Sequence, residues 1–212
     1  MSEINKLIQG YKRFHHNYFV GDEHEQLFAE LSQGQSPSAL VIACSDSRVD
    51  PAIVMDSKPG DLFVIRNVAN LVPPYEVGGG YHGVSAALEY AVRILKVEHV
   101  IVLGHQHCGG IKTLLSGLPA TQPSEFIQSW VNIAQSAKQR VLKAMPQASA
   151  EEQTCACEKA SILVSLENLR TFPWVAQAVE QGKLKLHGWY FDIENGILSA
   201  HDPALASFEP II

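Results

Sequence analysis

Three short runs of unbroken apolar residues constrain this chain more than any other feature: "ALVI" within 39–43, "LFVI" within 61–67 and "HVIVLG" at 99–104. A strand with one wet face alternates apolar and polar residues, whereas these runs do not, so each is expected to be covered on both faces. Between the second and third runs, residues 81–95 place Val84, Leu88, Ala91 and Leu95 on one side at helical spacing. Buried strands separated by helices imply parallel crossovers, hence an α/β fold with a mostly parallel central sheet flanked by helices. Helical patterns also cover 109–116, 124–144 and 150–170, and the stretch "KLKLHGWYFDIENGILSAH" reads as a strand, an Asn-Gly turn and a second short strand. The first 30 or so residues repeat Ile4, Leu7, Ile8, Tyr11, Phe14 and Tyr18 at steps of three and four, a helical arm at the N-terminus. The expectation is one domain over 1–212, with the arm at 1–34, a core at 35–120, and helices plus the closing strands at 121–212.

Charge narrows the partners. The formal net charge is -6 and no Lys/Arg run stands out, which argues against a nucleic-acid or anionic-membrane surface and for a small molecule or another protein. No apolar stretch approaches the roughly 20 residues of a membrane span, and the N-terminus lacks the apolar core of a secretory signal. The expected location is therefore the cytoplasm, where the four cysteines, Cys44, Cys108, Cys155 and Cys157, stay reduced.

In parallel sheets, ligands collect beyond the carboxyl ends of strands where the strand order reverses. Two such ends carry unusual chemistry: "ACSDSRVDP" follows the first run and "GHQHCGG" ends the third. Either cysteine alone reads as a small buried hydrophobe. Together, Cys44, His105 and Cys108 form a soft set of two thiolates and one imidazole, with His105 and Cys44 separated by 105 − 44 = 61 positions, a distance one crossover can close. That set favours Zn2+, and three ligands rather than four leave a position for water. Asp46 and Arg48 alternate with Cys44 along an extended segment and so face the same side, where the guanidinium can hold the carboxylate ionised and away from the metal. The acid is then free to accept a hydrogen bond from a metal-bound water.

"CSDSR" with "GHQHCGG" resembles the β-class carbonic anhydrases, and the likeness continues through "PGDLFVIRNVANLVPPYE", "AALEYAV", "CGGIKTLLSG" and "CEKASILVSLENLRTFPWV". The resemblance implies zinc on Cys44, His105 and Cys108, Asp46 and Arg48 as a catalytic dyad, and reversible hydration of CO2 to bicarbonate and a proton by zinc-hydroxide attack. It further implies that Phe63, Val68 and Tyr90 wall a dry pocket for CO2. Gln35 matches the position of a glutamine in plant-like members, where its amide can donate to a substrate oxygen, and Gly109 offers a backbone N–H to bicarbonate. Family members with an inhibitory bicarbonate site carry a tryptophan, an arginine and a tyrosine where this chain has Val41, Arg66 and Phe191. Two of the three are missing, which points to the plant-like, open form of the site.

Two thiolates cancel the formal charge of Zn2+, so bound water is expected to acidify less than on three neutral histidines, with activity rising on the alkaline side of neutrality. His107 is a candidate proton relay, and Cys155 and Cys157 are expected to be packing residues. Related chains imply a homodimer or a higher even-numbered assembly in which the amphipathic segment 3–19 covers a partner. Two other functions fit the same residues: hydrolysis of carbon disulfide or carbonyl sulfide, and a zinc-binding regulatory protein without activity.

Overall fold

In a computed structural model, residues 2–20, 25–78, 80–119, 121 and 123–211 are described. The chain divides into a unit Met1–Ser36 and a unit Pro37–Ile212. The first holds α1 (Glu3–Phe19) and α2 (Glu25–Leu31). Ser2 caps α1 by accepting from the Asn5 N–H, and the rings of Phe14, Tyr18, Phe19 and Phe28 cluster between the two helices.

The second unit is built on a six-stranded sheet. Strands β1 (Ala39–Cys44), β2 (Leu62–Asn67), β3 (His99–His105) and β4 (Lys185–Asp192) run parallel, and β5 (Ile197–Asp202) and β6 (Ser207–Pro210) add to β4 antiparallel. The order across the sheet is β2-β1-β3-β4-β5-β6. From β1 the chain goes first to one neighbour and then returns on its other side, so the order reverses between β1 and β3. The mostly parallel sheet matches the expectation drawn from the three apolar runs.

β1 is buried at all six positions, and its alternate side chains enter different clusters. Leu40 and Ile42 join Val100, Val102, Leu88 and Ile162 on one face; Val41 and Ala43 join Ile101 and Leu103 on the other. Each of the Leu, Ile and Val side chains contributes about 1.5–3 kcal/mol when fully buried.

The crossovers carry α3 (Pro51–Val54), started by Pro51 and capped by Asp50, and α4 (Gly83–Glu89), which runs on into π-helical turns at Tyr90–Leu95. After β3 come α5 (Gly109–Ser116), α6 (Ile127–Val131), α7 (Gln135–Ala144) and α8 (Ala150–Leu169). The single helix expected over 124–144 is thus broken, with a 3₁₀ turn at Asn132–Ala134. α8 opens on a capping box in which Ser149 and Glu152 satisfy each other's backbone N–H groups. Ile162 and Leu166 then reach the sheet so closely that a Cβ on Gly104 would lie 2.6 Å from Ile162, so glycine is required there.

α9 (Pro173–Glu180) and β6 lie where no element was expected. Pro173 at the first helical position was a legible start signal. β6 was concealed because its hairpin turns through Ala206 at φ 52, where glycine would ordinarily announce the bend. Among the described residues no helix is long and apolar enough to cross a membrane.

Candidate metal centre

The carboxyl ends of β1 and β3 meet at the reversal of strand order. The parallel register pairs Ala43 with Leu103, which sets Cys44 beside Gly104 and one step from His105. Cys108 follows three residues later as the N-cap of α5. One ligand atom from each of Cys44, His105 and Cys108 lies within 4.8 Å of the others, and all three residues are buried. Among the described residues, no other group of three His, Cys, Asp or Glu side chains is gathered in this way.

Three observations show that this cluster fits a metal ion. The sulfurs are 4.0 Å apart, against about 3.8 Å for two thiolates on a tetrahedral ion with ordinary Zn–S bonds. His105 Nδ1 lies 2.8 Å from the Gln106 carbonyl, which requires the proton on Nδ1 and leaves Nε2 as the lone pair. Nε2 is buried with no hydrogen-bond partner, a costly condition that a cation relieves. The thiols point the same way. Cys44 is lowered to about 4, chiefly because Cys108 donates to it, while the same hydrogen bond and burial push Cys108 far above the ordinary thiol range. Without a cation the pair shares one proton, and a dication displaces it.

Asp46 and Arg48 form the expected pair. Arg48 Nε donates to Asp46 Oδ1 at 2.9 Å and its terminal nitrogen donates to Oδ2 at 2.7 Å, a bidentate fork. The same nitrogen reaches the His107 carbonyl at 3.1 Å, tying the β1 loop to the β3 loop. These Arg48 hydrogen bonds hold the Asp46 carboxyl well below the usual carboxylate range.

The remaining expected residues are scattered. Gly109 is the first residue of α5, beside Cys108, with open space around its Cα. Val68 follows β2 and lines an open, mainly apolar cavity of about 620 Å3 with Tyr81, Val84, Phe126, Trp130 and Ile133. Phe63 and Tyr90 stack on each other at 5.9 Å, but Phe63 pairs with Leu40, four residues before Cys44. That is about 13 Å back along the strand, so these rings do not join the metal cluster of their own chain. Gln35 belongs to the first unit, Met1–Ser36. His107 is half-exposed and pairs with Glu194 at 2.9 Å. Cys157 is buried, while Cys155 is only half-buried, 3.6 Å from the Tyr190 hydroxyl. Gly79, the middle one of three consecutive glycines at 78–80 that precede the helical stretch 81–95, lies outside the described residues.

Several residues shape the site in ways that no motif indicated. Arg66 donates to the carbonyls of Cys44 at 2.9 Å and Asp46 at 2.6 Å and to the Asp50 carboxylate at 2.7 Å, fixing the path from β1 into α3. Ala69 and Asn70 both have left-handed backbones, φ 65 and 49, an arrangement that costs about 1–2 kcal/mol per residue outside glycine. This turn packs against α5: a Cβ on Gly110 would lie 2.8 Å from the Ala69 and Val68 side chains, so Gly110 is the constrained member of the glycine pair. Glu158 is buried on α8, with the Cys108 N–H and the Tyr190 hydroxyl donating to its two oxygens at 2.8 Å each. Burial pushes its carboxyl upward. An acid four and eight residues before Ile162 and Leu166, on the same apolar stripe, was the signal available for it.

A strand-end cluster of two thiols and an imidazole beside an Asp/Arg pair, on a mostly parallel α/β sheet, fits a metal site, and the comparisons give the family of enzymes to which the chain is similar. Residues 39–198 match the carbonic anhydrase family model. The carbonic anhydrase of Synechocystis sp. (strain PCC 6803) is 38% identical over 97% of this chain and 73% of its own length. That of Synechococcus elongatus (strain PCC 7942) is 37% identical over 91% and 70%. The solved structure of the β-carbonic anhydrase CcaA superposes with a TM-score of 0.92 at 38% identity, covering 99% of this chain and 100% of that one. One of two tetrameric β-carbonic anhydrases from Sordaria macrospora gives a TM-score of 0.75 at 28% identity over 92% of both chains. This chain belongs to the β-class carbonic anhydrase family.

Proposed function

We propose that the chain catalyses reversible hydration of CO2 to bicarbonate and a proton, with zinc held by Cys44, His105 and Cys108. The observation that carries this reading is the buried, partnerless Nε2 of His105 facing two sulfurs 4.0 Å apart. When bound, zinc supplies an acidified water and a Lewis-acid centre.

The chain's own residues do the rest. Asp46, locked by Arg48, stays an acceptor down to low pH and is held by that pairing, so it would orient the attacking water through one hydrogen bond. The Asp46/Arg48 pairing supports the plant-like, open form. The Gly109 N–H, at the start of α5, would donate to a bicarbonate oxygen, and Val68 would contribute an apolar wall. CO2 carries no charge and needs little else in its ground state.

Phe63 and Tyr90 stand too far along the sheet to wall the site of their own chain, so their role calls for a second copy. In support, no residue of α1 is buried, and the Sordaria relatives are tetrameric. We assign a homo-oligomer with an even number of chains acting on a small-molecule substrate in the cytoplasm, and Gln35 as an amide donor to substrate. Light scattering after size exclusion tests the assembly.

Stopped-flow CO2 hydration from pH 6 to 9, with zinc measured on the same sample, tests the function. The expected result is one zinc per chain and a rate rising on the alkaline side. Zinc-loaded protein without CO2 turnover overturns it, and turnover of carbon disulfide in place of CO2 moves the chain to that substrate.

A further inference from the structure

The two sulfurs of the cluster are delivered by different means. Cys44 ends a strand whose six positions are all buried and whose exit is held by Arg66. Cys108 sits on the N-cap of α5, an eight-residue helix that starts Gly-Gly and has neither feature behind it. In an ordinary capping box the third helical residue is Glu or Gln, and its side chain takes the N-cap backbone N–H, pinning the residue whose side chain matters. In α5 that third position is Ile111, which has no acceptor. The Cys108 N–H is nevertheless bonded: it donates at 2.8 Å to Glu158, fifty residues further on in α8. The carboxylate is buried, and its other oxygen is held by the Tyr190 hydroxyl of β4 at 2.8 Å. Glu158 stands one α-helical turn before Ile162, the residue wedged against Gly104 beside the cluster, so α8 meets both the end of β3 and the residue that starts α5.

We infer that Glu158 completes the cap of α5 from another helix and thereby serves as the positioning residue for Cys108, fixing where its sulfur meets the metal. It touches neither substrate nor the reacting atoms. A carboxylate suits the task because it accepts from two donors on separate elements, and the N-terminus of α5 favours an anion beside it. Glutamine in its place keeps one acceptor for the Cys108 N–H and turns its amide to the Tyr190 oxygen, which can accept. Alanine leaves both donors unmet.

The inference rests on zinc being held by Cys44, His105 and Cys108, and its test separates the two. Zinc loss from the loaded protein to a chromogenic chelator is followed for wild type, Glu158→Gln, Glu158→Ala and Tyr190→Phe, together with the thiolate-to-metal absorption of the cobalt-substituted proteins and their circular dichroism. Wild type that binds no zinc sinks the site itself. With wild type loaded, Glu158→Ala is expected to release zinc about 10- to 100-fold faster, the range for outer partners of metal ligands. Glu158→Gln should remain within a few-fold of wild type and Tyr190→Phe should fall between. Should Glu158→Ala not fold, the ordering of Tyr190→Phe and Glu158→Gln and their cobalt spectra carry the test. Folded Glu158→Ala that releases zinc at the wild-type rate, or a glutamine variant as leaky as alanine, overturns the inference, as does a Tyr190→Phe protein leakier than Glu158→Ala.

Discussion

Strand β3 begins with His99 and ends with His105, and the two rings have different surroundings. His99, at the amino end of the sheet, is half-buried with Nδ1 3.0 Å from His187 Nε2 on β4, so each ring already answers the other. His105, at the carboxyl end, gives one nitrogen to the Gln106 carbonyl and leaves the other buried and unanswered. The histidine proposed as a ligand is therefore distinguished less by residue type than by which nitrogen the protein has left without a partner. The same contrast extends to the surroundings. Around the carboxyl-end cluster, Arg66 holds the Cys44 carbonyl, Glu158 holds the Cys108 N–H, and Gly104 and Gly110 stand where a Cβ would not fit.

The contrast breaks first at the histidines themselves. His105→Ala should lose zinc to background and reduce CO2 hydration by more than about 100-fold, beyond what outer partners command, while His99→Gln keeps both. Metal analysis and stopped flow on the two variants decide; a zinc-loaded His105→Ala protein would end the assignment. Next in size comes Arg66. Its fork satisfies two carbonyls of the β1 exit, and Arg66→Ala should lower metal affinity about 10- to 100-fold by loosening the loop that follows Cys44. Lysine restores the charge but not the fork, so Arg66→Lys should recover little. Full affinity in Arg66→Lys would show that charge alone suffices there.

Smaller again is the effect of packing. Gly110→Ala drives a methyl into Val68 and Ala69 across a turn that is already left-handed, and should cost about 1–3 kcal/mol in urea unfolding. Gly109→Ala meets open space at a helix start, keeps its N–H, and should be neutral or stabilising by up to about 1 kcal/mol. Equal losses at the two positions would remove the turn at Ala69 and Asn70 as the constraint on α5.

These residues also show how far the sequence could be read. The sheet was legible because Leu40 to Ile42 and Val100 to Leu103 carry no polar residue, and the cluster was legible because cysteine, histidine, aspartate and arginine have few uses at strand ends. Arg66 was noticed only as the remnant of an absent bicarbonate site, since nothing local says that a side chain on β2 bonds carbonyls at the end of β1. Glu158 sits inside a helix that is buried on several sides, where an acid is visible as an anomaly but its partner, a backbone N–H fifty residues earlier, is not. Phe63 and Tyr90 came with the motif, and only the register of β1 with β2 shows how far back along the sheet they stand. Motifs name the atoms that bind; the supports are set by tertiary contacts between segments far apart.

The amino end yields the smallest prediction, one of pH. Burial lowers the His187 pKa from its usual 6.5, with the neighbouring His99 and Lys185 adding to the shift. The folded chain therefore resists the proton that the unfolded chain accepts. The stability this contributes is fully present above pH 6.5, declines as pH falls below it, and is gone once pH has passed through the lower folded value. The groups that face it are the His99 ring, with Nδ1 3.0 Å from its Nε2, the Trp189 ring at 6.3 Å between centroids, and Glu167 and Arg170, which line one cavity with it. His187→Asn should accordingly lose less stability than wild type between pH 7.5 and 5.5. Metal binding of the proposed ligands is itself pH-dependent, so the quantity to measure is the difference between the two proteins at each pH, with zinc loaded in both. A decline identical in wild type and His187→Asn would mean that the amino-end pair is already solvated and that the contrast between the two ends of β3 does not extend to their proton chemistry.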